Sequence, residues 1–315
     1  MKNFFILLFL LTHVSYAQKA IGIQDLSKDL EKTVTYLASD KLNGRKTGTK
    51  GIEMAAKYIE DYFNTNGVLP YFDNYRHHFK DAFKLKKLNA YNVVGYVKGI
   101  DPDLQKEIIV VGAHFDHIGR IQSNTNDTIA NGANDNASGT AAVMSLARYF
   151  AEHKSNKRSL LFVLFSAEEM GLLGSKYLAK ELKNQGTNIY TVLNFEMIGV
   201  PMVDKNYKTY LTGYENSNMA QLINEYSGQN LVGFLPQAKS YQLFQRSDNF
   251  PFYQEFSIPS QTISTFDFTN FEFYHQVGDE SQLLDYKHMA EIVSGFTRVI
   301  HKMSNSKNKE IYLNE

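Results

Sequence analysis

The sequence predicts an α/β protein: a three-layer sandwich with a mostly parallel, mixed central sheet and helices on both faces. Two observations carry this. The continuous apolar runs at residues 108–111 and 160–165, and the mostly apolar stretch at 191–195, have the pattern of strands buried on both faces. Segments of helical spacing lie between them, and strand–helix alternation favours a parallel sheet with covered faces. The size and composition agree. A chain of 315 residues, 43% hydrophobic and 21% charged, is ordinary for a folded protein, and at this length about 75% of the unfolded surface can be buried.

In order along the chain, Leu26, Leu30, Val34 and Leu37 recur at helical spacing and predict a helix over 25–39. Residues 44–49 read as a loop. Ala55, Ala56, Ile59, Tyr62 and Phe63 mark a second helix that stops near Gly67. Residues 91–97 alternate and are β-branched, the pattern of a strand. The buried strand at 108–111 leads into a polar loop over 119–136 and then a helix of small residues over 138–150. A strand at 160–165, a helix at 170–182 and a strand at 191–195 follow. A helix at 219–226, a strand at 261–266 and a closing helix around 292–300 complete the reading. Residues 304–315 are polar and are expected to fray. The 6 prolines do not cluster as a linker and no internal repeat is visible, so residues 18–315 read as one domain.

The first residues read as a secretory signal. Lys2 is followed by eight apolar residues, 4–11, and then by Ser15-Tyr16-Ala17, small at the two positions that define a cut after Ala17. The run is shorter than the roughly 20 residues that span a bilayer. The expectation is therefore a signal peptide over 1–17, a periplasmic or secreted mature chain, and no integral membrane span after signal removal. Lys+Arg and Asp+Glu are both 33, a balance that argues against nucleic-acid partners and polybasic membrane binding. Cysteine is absent, which excludes disulfides, thiolate nucleophiles, cysteine-ligated zinc and iron–sulfur clusters. Any metal must be held by histidine and carboxylate.

In open α/β sheets ligands collect at the carboxyl ends of the strands. The residues following each apolar run are His114-Phe115-Asp116-His117, Glu168-Glu169 and Glu196, with Asp135 in the intervening loop and His275 later. Several strand ends thus deliver a histidine or a carboxylate to one edge. Asp135, Glu169 and Glu196 carry three negative charges, and a bridging hydroxide would bring a fourth, which balances two divalent cations. Without metal these carboxylates would repel one another. His114 is preferred to His117 because Asp116 stands two residues on. If the strand continues that far, the Asp116 carboxylate can accept the spare imidazole N–H of His114. Of Glu168 and Glu169, one can bind metal and the other serve as general base; chemistry alone does not say which.

The set His114-Phe115-Asp116, Asn134-Asp135-Asn136-Ala137-Ser138-Gly139, Ala167-Glu168-Glu169-Met170-Gly171, Asn194-Phe195-Glu196-Met197-Ile198-Gly199 and Tyr274-His275 resembles the M28 family of metallopeptidases. Leu37 to Arg45 and Gly48-Thr49 also resemble the family's N-terminal region. The resemblance implies two Zn2+ ions per chain, one on His114 and Glu196 and the other on Glu169 and His275, with Asp135 bridging. It implies Glu168 as general base, Asp116 as the group that orients His114, and a cis peptide after Asp135. It further implies release of N-terminal residues from peptide substrates. Glu196 departs from the Asp commoner at that position and reaches about one methylene further.

Other residues have plainer readings. His77 and His78 read as surface residues, His153 as a partner of a helix C-terminus, and His288 and His301 as solvated. Phe266, Phe268, Phe271, Phe273 and Tyr274 crowd the approach to His275 and read mainly as packing, with a pocket as the second possibility. Arg246-Ser247-Asp248 reads as a polar loop over the cleft. Two other functions share the scaffold: a glutaminyl-cyclase-like acyltransferase, expected to use one zinc, and a non-catalytic binding domain, expected to lack ligands. No Gly-x-Ser-x-Gly turn is present, which disfavours a serine hydrolase.

Overall fold

The computed structural model describes residues 22–80, 89–124 and 126–315; the expected signal segment lies outside them. The chain begins with α1 (Ile23–Leu37), a tight turn (Asp40–Arg45) and α2 (Lys50–Thr65). Strands β1 (Leu69–Pro70), β2 (Arg76–Phe79), β3 (Ala90–Val97) and β4 (Ile108–His114) follow. A small hairpin of β5 (Gly119–Arg120) and β6 (Ile129–Ala130) precedes α3 (Gly139–His153). Then come β7 (Ser159–Phe165), α4 (Leu173–Asn184), β8 (Ile189–Glu196), β9 (Thr209–Leu211), α5 (Met219–Ser227) and β10 (Val232–Gly233). The chain closes with α6 (Pro236–Ser240), α7 (Asn249–Phe256), β11 (Ser260–Ser264) and α8 (Tyr286–Asn305).

The main sheet runs β1-β3-β7-β4-β8-β11-β9-β10, with β2 also on β3. Its centre, β7-β4-β8-β11, is parallel, while β3 and β9 join it antiparallel. The predicted three-layer architecture is therefore the one observed. Strand periodicity explains the layers. Ile109, Val111, Leu160, Phe162, Leu193 and Phe195 face one side and pack with α1, α2, α3, α5 and α8. Val110, Leu161, Val163, Phe165 and Val192 face the other and pack with α4 and α7. Because the central strands are parallel, all their carboxyl ends open on one edge of the sheet.

Three expectations are corrected. The loop over 119–136 contains the hairpin, and its second half, Ile129 to Asn136, is buried. The helix expected from 170 starts at Leu173, because Leu172 takes a left-handed φ of 61° that no helix continues through. The C-terminal stretch is docked: Ile311 is buried and donates its N–H to the Tyr190 hydroxyl at 2.8 Å, and Ser217 bridges Leu313. Its one apolar anchor outweighs the polar composition. Among the described residues no helix is long and apolar enough to cross a membrane.

Candidate metal centre

The carboxyl edge gathers side chains far apart in sequence. β4 ends on His114 and β8 ends on Glu196. Glu168 and Glu169 sit in the turn after β7, and Asp135 in the irregular turn (Ala133–Ser138) that opens α3. His114 Nε2 lies 3.3 Å from Asp135 Oδ1 and 3.2 Å from Glu196 Oε1. His275 Nε2 lies 3.2 Å from both Asp135 Oδ2 and Glu169 Oε1. Two donor groups result, His114–Asp135–Glu196 and His117–Asp135–Glu169–His275, with Asp135 common to both. All five residues expected to ligate are therefore brought together. His117, set second to His114 on the sequence, enters the centre as well: its Nδ1 lies 3.0 Å from Glu169 Oε1 and 3.6 Å from Asp135 Oδ2.

The backbone around these groups is built for close approach. Ala167, Met197 and His275, each at or beside a site residue, take positive φ of 56°, 48° and 57°. Such strain costs about 1–3 kcal/mol per residue and collects at functional sites. The Asp135–Asn136 peptide is cis, as the resemblance implied. The Asn136 side chain joins this turn to the end of β8: it donates to Phe195 O at 2.9 Å and accepts from the N–H of Gly139 and Met197 at 3.0 and 3.1 Å. A Cβ on Gly139 would lie 2.4 Å from Phe195 O, so only glycine lets the turn come so near the strand. Asp279 accepts the N–H groups of Asn134 and Asp135 at 2.7 and 3.0 Å, which aims the Asp135 carboxylate away from its own backbone and into the centre.

Asp116 is corrected in its means of action. β4 stops at His114, so the two side chains do not share a strand face. His114 Nδ1 donates to the Asp116 backbone carbonyl at 3.1 Å, while the carboxylate stands 3.8 Å away. That bond turns Nε2 towards Asp135 and Glu196. The carboxylate instead accepts from the Thr47 hydroxyl at 3.1 Å and from the Glu168 N–H at 3.2 Å. Thr47 Oγ1 also accepts the Ala167 N–H at 2.9 Å, so Asp116 and Thr47 together hold the Glu168 turn.

Electrostatics separate the two adjacent glutamates. Burial raises the Glu168 carboxyl well above the ordinary range, and the charges of Glu196, Asp248 and Glu169 reinforce it against His114. Glu169 is lowered: hydrogen bonds and charge from His117 and His275 overcome burial and the repulsion of Asp135. Asp135 is driven far below its range, because His117, His114 and His275 together outweigh its desolvation. Burial alone would lower His275, but Asp135 and Glu169 lift it to about 10. Three imidazole nitrogens and three carboxylates converging at 3.0–3.6 Å suit zinc, which takes nitrogen and oxygen ligands.

Several supporting contacts appear only in the fold. The Ser247 hydroxyl donates to Glu196 Oε2 and accepts from Asn194 Nδ2 at 2.8 Å. Ser247 and Arg246 line the cleft, whereas Asp248 is fully buried, and burial pushes its carboxyl to about 7. Phe266, Phe268 and Tyr274 wall the same cleft, of about 60 Å³, with Met197 and Leu243; the pocket reading thus applies to them. Glu196 lies on the cleft's lining, and Tyr274 stacks on His275 at 4.0 Å between ring centroids. His77 is not a surface residue: it is buried, 2.8 Å from Glu181 Oε2, while His288 and His301 are half-buried.

Residues 92–300 match the model of peptidase family M28. A probable zinc metalloprotease of Pyrenophora teres is 31% identical over 200 residues, which are 61% of this chain and 40% of that protein. Matches to the curated relatives span about a fifth to two-fifths of their length. Among solved structures, the Legionella pneumophila LapA aminopeptidase superposes with a TM-score of 0.68 at 21% identity, covering 91% of this chain and 74% of that one. The glutaminyl cyclase of Porphyromonas gingivalis superposes with a TM-score of 0.67 at 15% identity, covering 88% and 98%. At these identities the structures show a common fold. The family match takes in every converging side chain except the Arg45–Thr47 support, and the chain belongs to peptidase family M28.

Proposed function

We propose that this chain is a two-zinc aminopeptidase that removes N-terminal residues from peptides outside the inner membrane. The observation that carries the reading is the pair of donor groups sharing Asp135. His114, Asp135 and Glu196 would hold one ion; Asp135, Glu169 and His275 would hold the other. Bound zinc lowers the pKa of water towards about 7 and polarises a carbonyl oxygen. The protein supplies the rest. Glu168 takes the proton of the attacking water and passes it to the leaving amine; its carboxylate makes no hydrogen bond or ion pair among the described residues, which leaves it free for this work. Asp116 and Thr47 hold the Glu168 turn, and the Asp116 carbonyl fixes the His114 tautomer. The cleft walled by Phe266, Phe268 and Tyr274 receives the side chain next to the scissile bond. The location rests on the signal-like residues 1–17 alone.

A glutaminyl-cyclase-like reading has structural neighbours in its favour. The six-donor set argues for two ions rather than one, and so for hydrolysis. The experiment offers the purified protein a peptide beginning with Gln beside peptides with apolar N-termini. Release of free amino acids that stops with chelator and stops in Glu168→Gln, with zinc content retained, supports the aminopeptidase. A cyclised product without shortening of the chain supports the cyclase. Full hydrolysis by Glu168→Gln contradicts the assigned base.

A further inference from the structure

We propose that His117 is a protein ligand of the ion held by Glu169 and His275, so that the two metal positions are unequal. One is closed by four protein donors. The other keeps three, with an open face on the aromatic cleft. This rests on the two-zinc reading and goes beyond it, because that reading needs no third histidine.

The distances carry the argument. Zinc–ligand bonds of about 2.0–2.2 Å put the atoms of a tetrahedron about 3.3–3.6 Å apart. Around the Glu169–His275 position the separations are 3.0 Å (His117 Nδ1 to Glu169), 3.6 Å (His117 Nδ1 to Asp135), and 3.2 Å from His275 to each of the same two carboxylates. His117 therefore faces the same two oxygens as His275, which a simple hydrogen bond to Glu169 would not require. Around the other position, 3.3 and 3.2 Å separations define a triangle of His114, Asp135 and Glu196.

The chain also makes room for this ring. His117 is fully buried, and a Cβ on Gly132 would lie 2.6 Å from it, so the bare backbone of Gly132 is what admits the imidazole. Its outer nitrogen, Nε2, is buried without a hydrogen-bond partner among the described residues, so the Nδ1 edge is the one engaged. As a ligand His117 would carry its proton on Nε2. The asymmetry has a direction. The aromatic cleft is lined by Glu196, not by His117 or Glu169, so the three-donor ion is the one that opens on it. A site with three protein ligands and an open position is the catalytic arrangement, and four protein ligands the closed one.

Zinc-edge X-ray absorption of the wild-type protein loaded with two zinc ions counts imidazoles directly. Three histidines over two ions give an average of about 1.5 per zinc, the expected result; about 1.0 overturns the proposal. In His117→Phe, which keeps a ring but no donor, titration against a competing chromophoric chelator should show one zinc weakened at least about 10- to 100-fold and the other unchanged. Two ions bound with wild-type affinity overturn the proposal. If that variant does not fold, the wild-type count decides. A wild-type protein that takes up two zinc ions with two imidazoles sinks this inference alone, while one that never takes up a second ion sinks the two-zinc reading as well.

Discussion

Glu196 shows how a single side chain is made to serve. It is longer than the aspartate commoner among the family's members, and a longer carboxylate is harder to aim. The protein answers with Ser247, whose hydroxyl donates to Oε2 and leaves Oε1 facing His114. Asn194, two residues back on β8, anchors that hydroxyl in turn. Ser247→Ala should lower the affinity of the His114–Glu196 ion by about 10- to 100-fold, the usual scale for a lost group behind a ligand. Chelator competition measures it; an unchanged affinity would show that Glu196 needs no such support. At this scale the sequence was most informative where a residue directly follows an apolar strand, as His114, Glu168, Glu169 and Glu196 do. It placed Ser247 only in a polar loop over the cleft and was silent about Asp279; their roles arise from contacts with residues 51 and 144 positions away. Asp116 was found, but as a carboxylate acting on His114 rather than as a carbonyl, because the end of β4 is set by pairing that no local pattern records.

Among the elements, the tight turn before α2 has a role out of proportion to its length. Arg45 is fully buried and its guanidinium donates to four carbonyls: Phe115 at 2.9 Å, Asn131 at 2.6 Å, Gly132 at 2.9 Å, and Leu37. These belong to α1, the loop after β4 and the turn bearing Asp135, so one cation ties three segments together beneath the metal centre. Burial lowers its pKa to about 10, against the pull of Asp279, Asp135, Asp116 and Glu169, and it stays charged at neutral pH. Arg45→Met fills similar volume but leaves those carbonyls without donors. Each buried unsatisfied group costs about 1–3 kcal/mol, so a loss of at least about 3 kcal/mol is expected in urea unfolding. A loss below about 1 kcal/mol would show that water or rearrangement replaces Arg45. The strands buried on both faces were legible as apolar runs, and the long helices as periodic stripes. The two- and three-residue strands β1, β9 and β10 were not, since a period of two has no room to repeat in them.

For the whole molecule, the layer architecture was legible because alternation of strand and helix constrains it, while the order β1-β3-β7-β4-β8-β11-β9-β10 was not, because pairing partners lie far apart in the chain. A global property follows from a residue read as superficial. His77 is packed between the sheet and α4; burial lowers its pKa below the ordinary 6.5, and Glu181 only partly restores it. His288 and His301 shift the same way, again through burial first. At His77, His288 and His301 the unfolded chain therefore binds more protons near pH 6.5 than the folded one, so these three contribute stability that rises with pH through that window, against the opposite contribution of His114, His275, Glu168 and Asp248, which hold their protons in the metal-free fold. His77→Gln should raise Tm at pH 5 relative to Tm at about pH 7.5, compared with the wild-type difference, both measured on metal-free protein. An unchanged difference would show that His77 does not contribute.

The central claim is that five side chains from separate segments form one cage for two ions. Anomalous diffraction at the zinc edge, on crystals grown with zinc and without competing metal, tests it most directly. Two peaks are expected, one against His114 and Glu196 and one against Glu169 and His275, with Asp135 between them. A single peak, or none within bonding distance of Asp135, would contradict it.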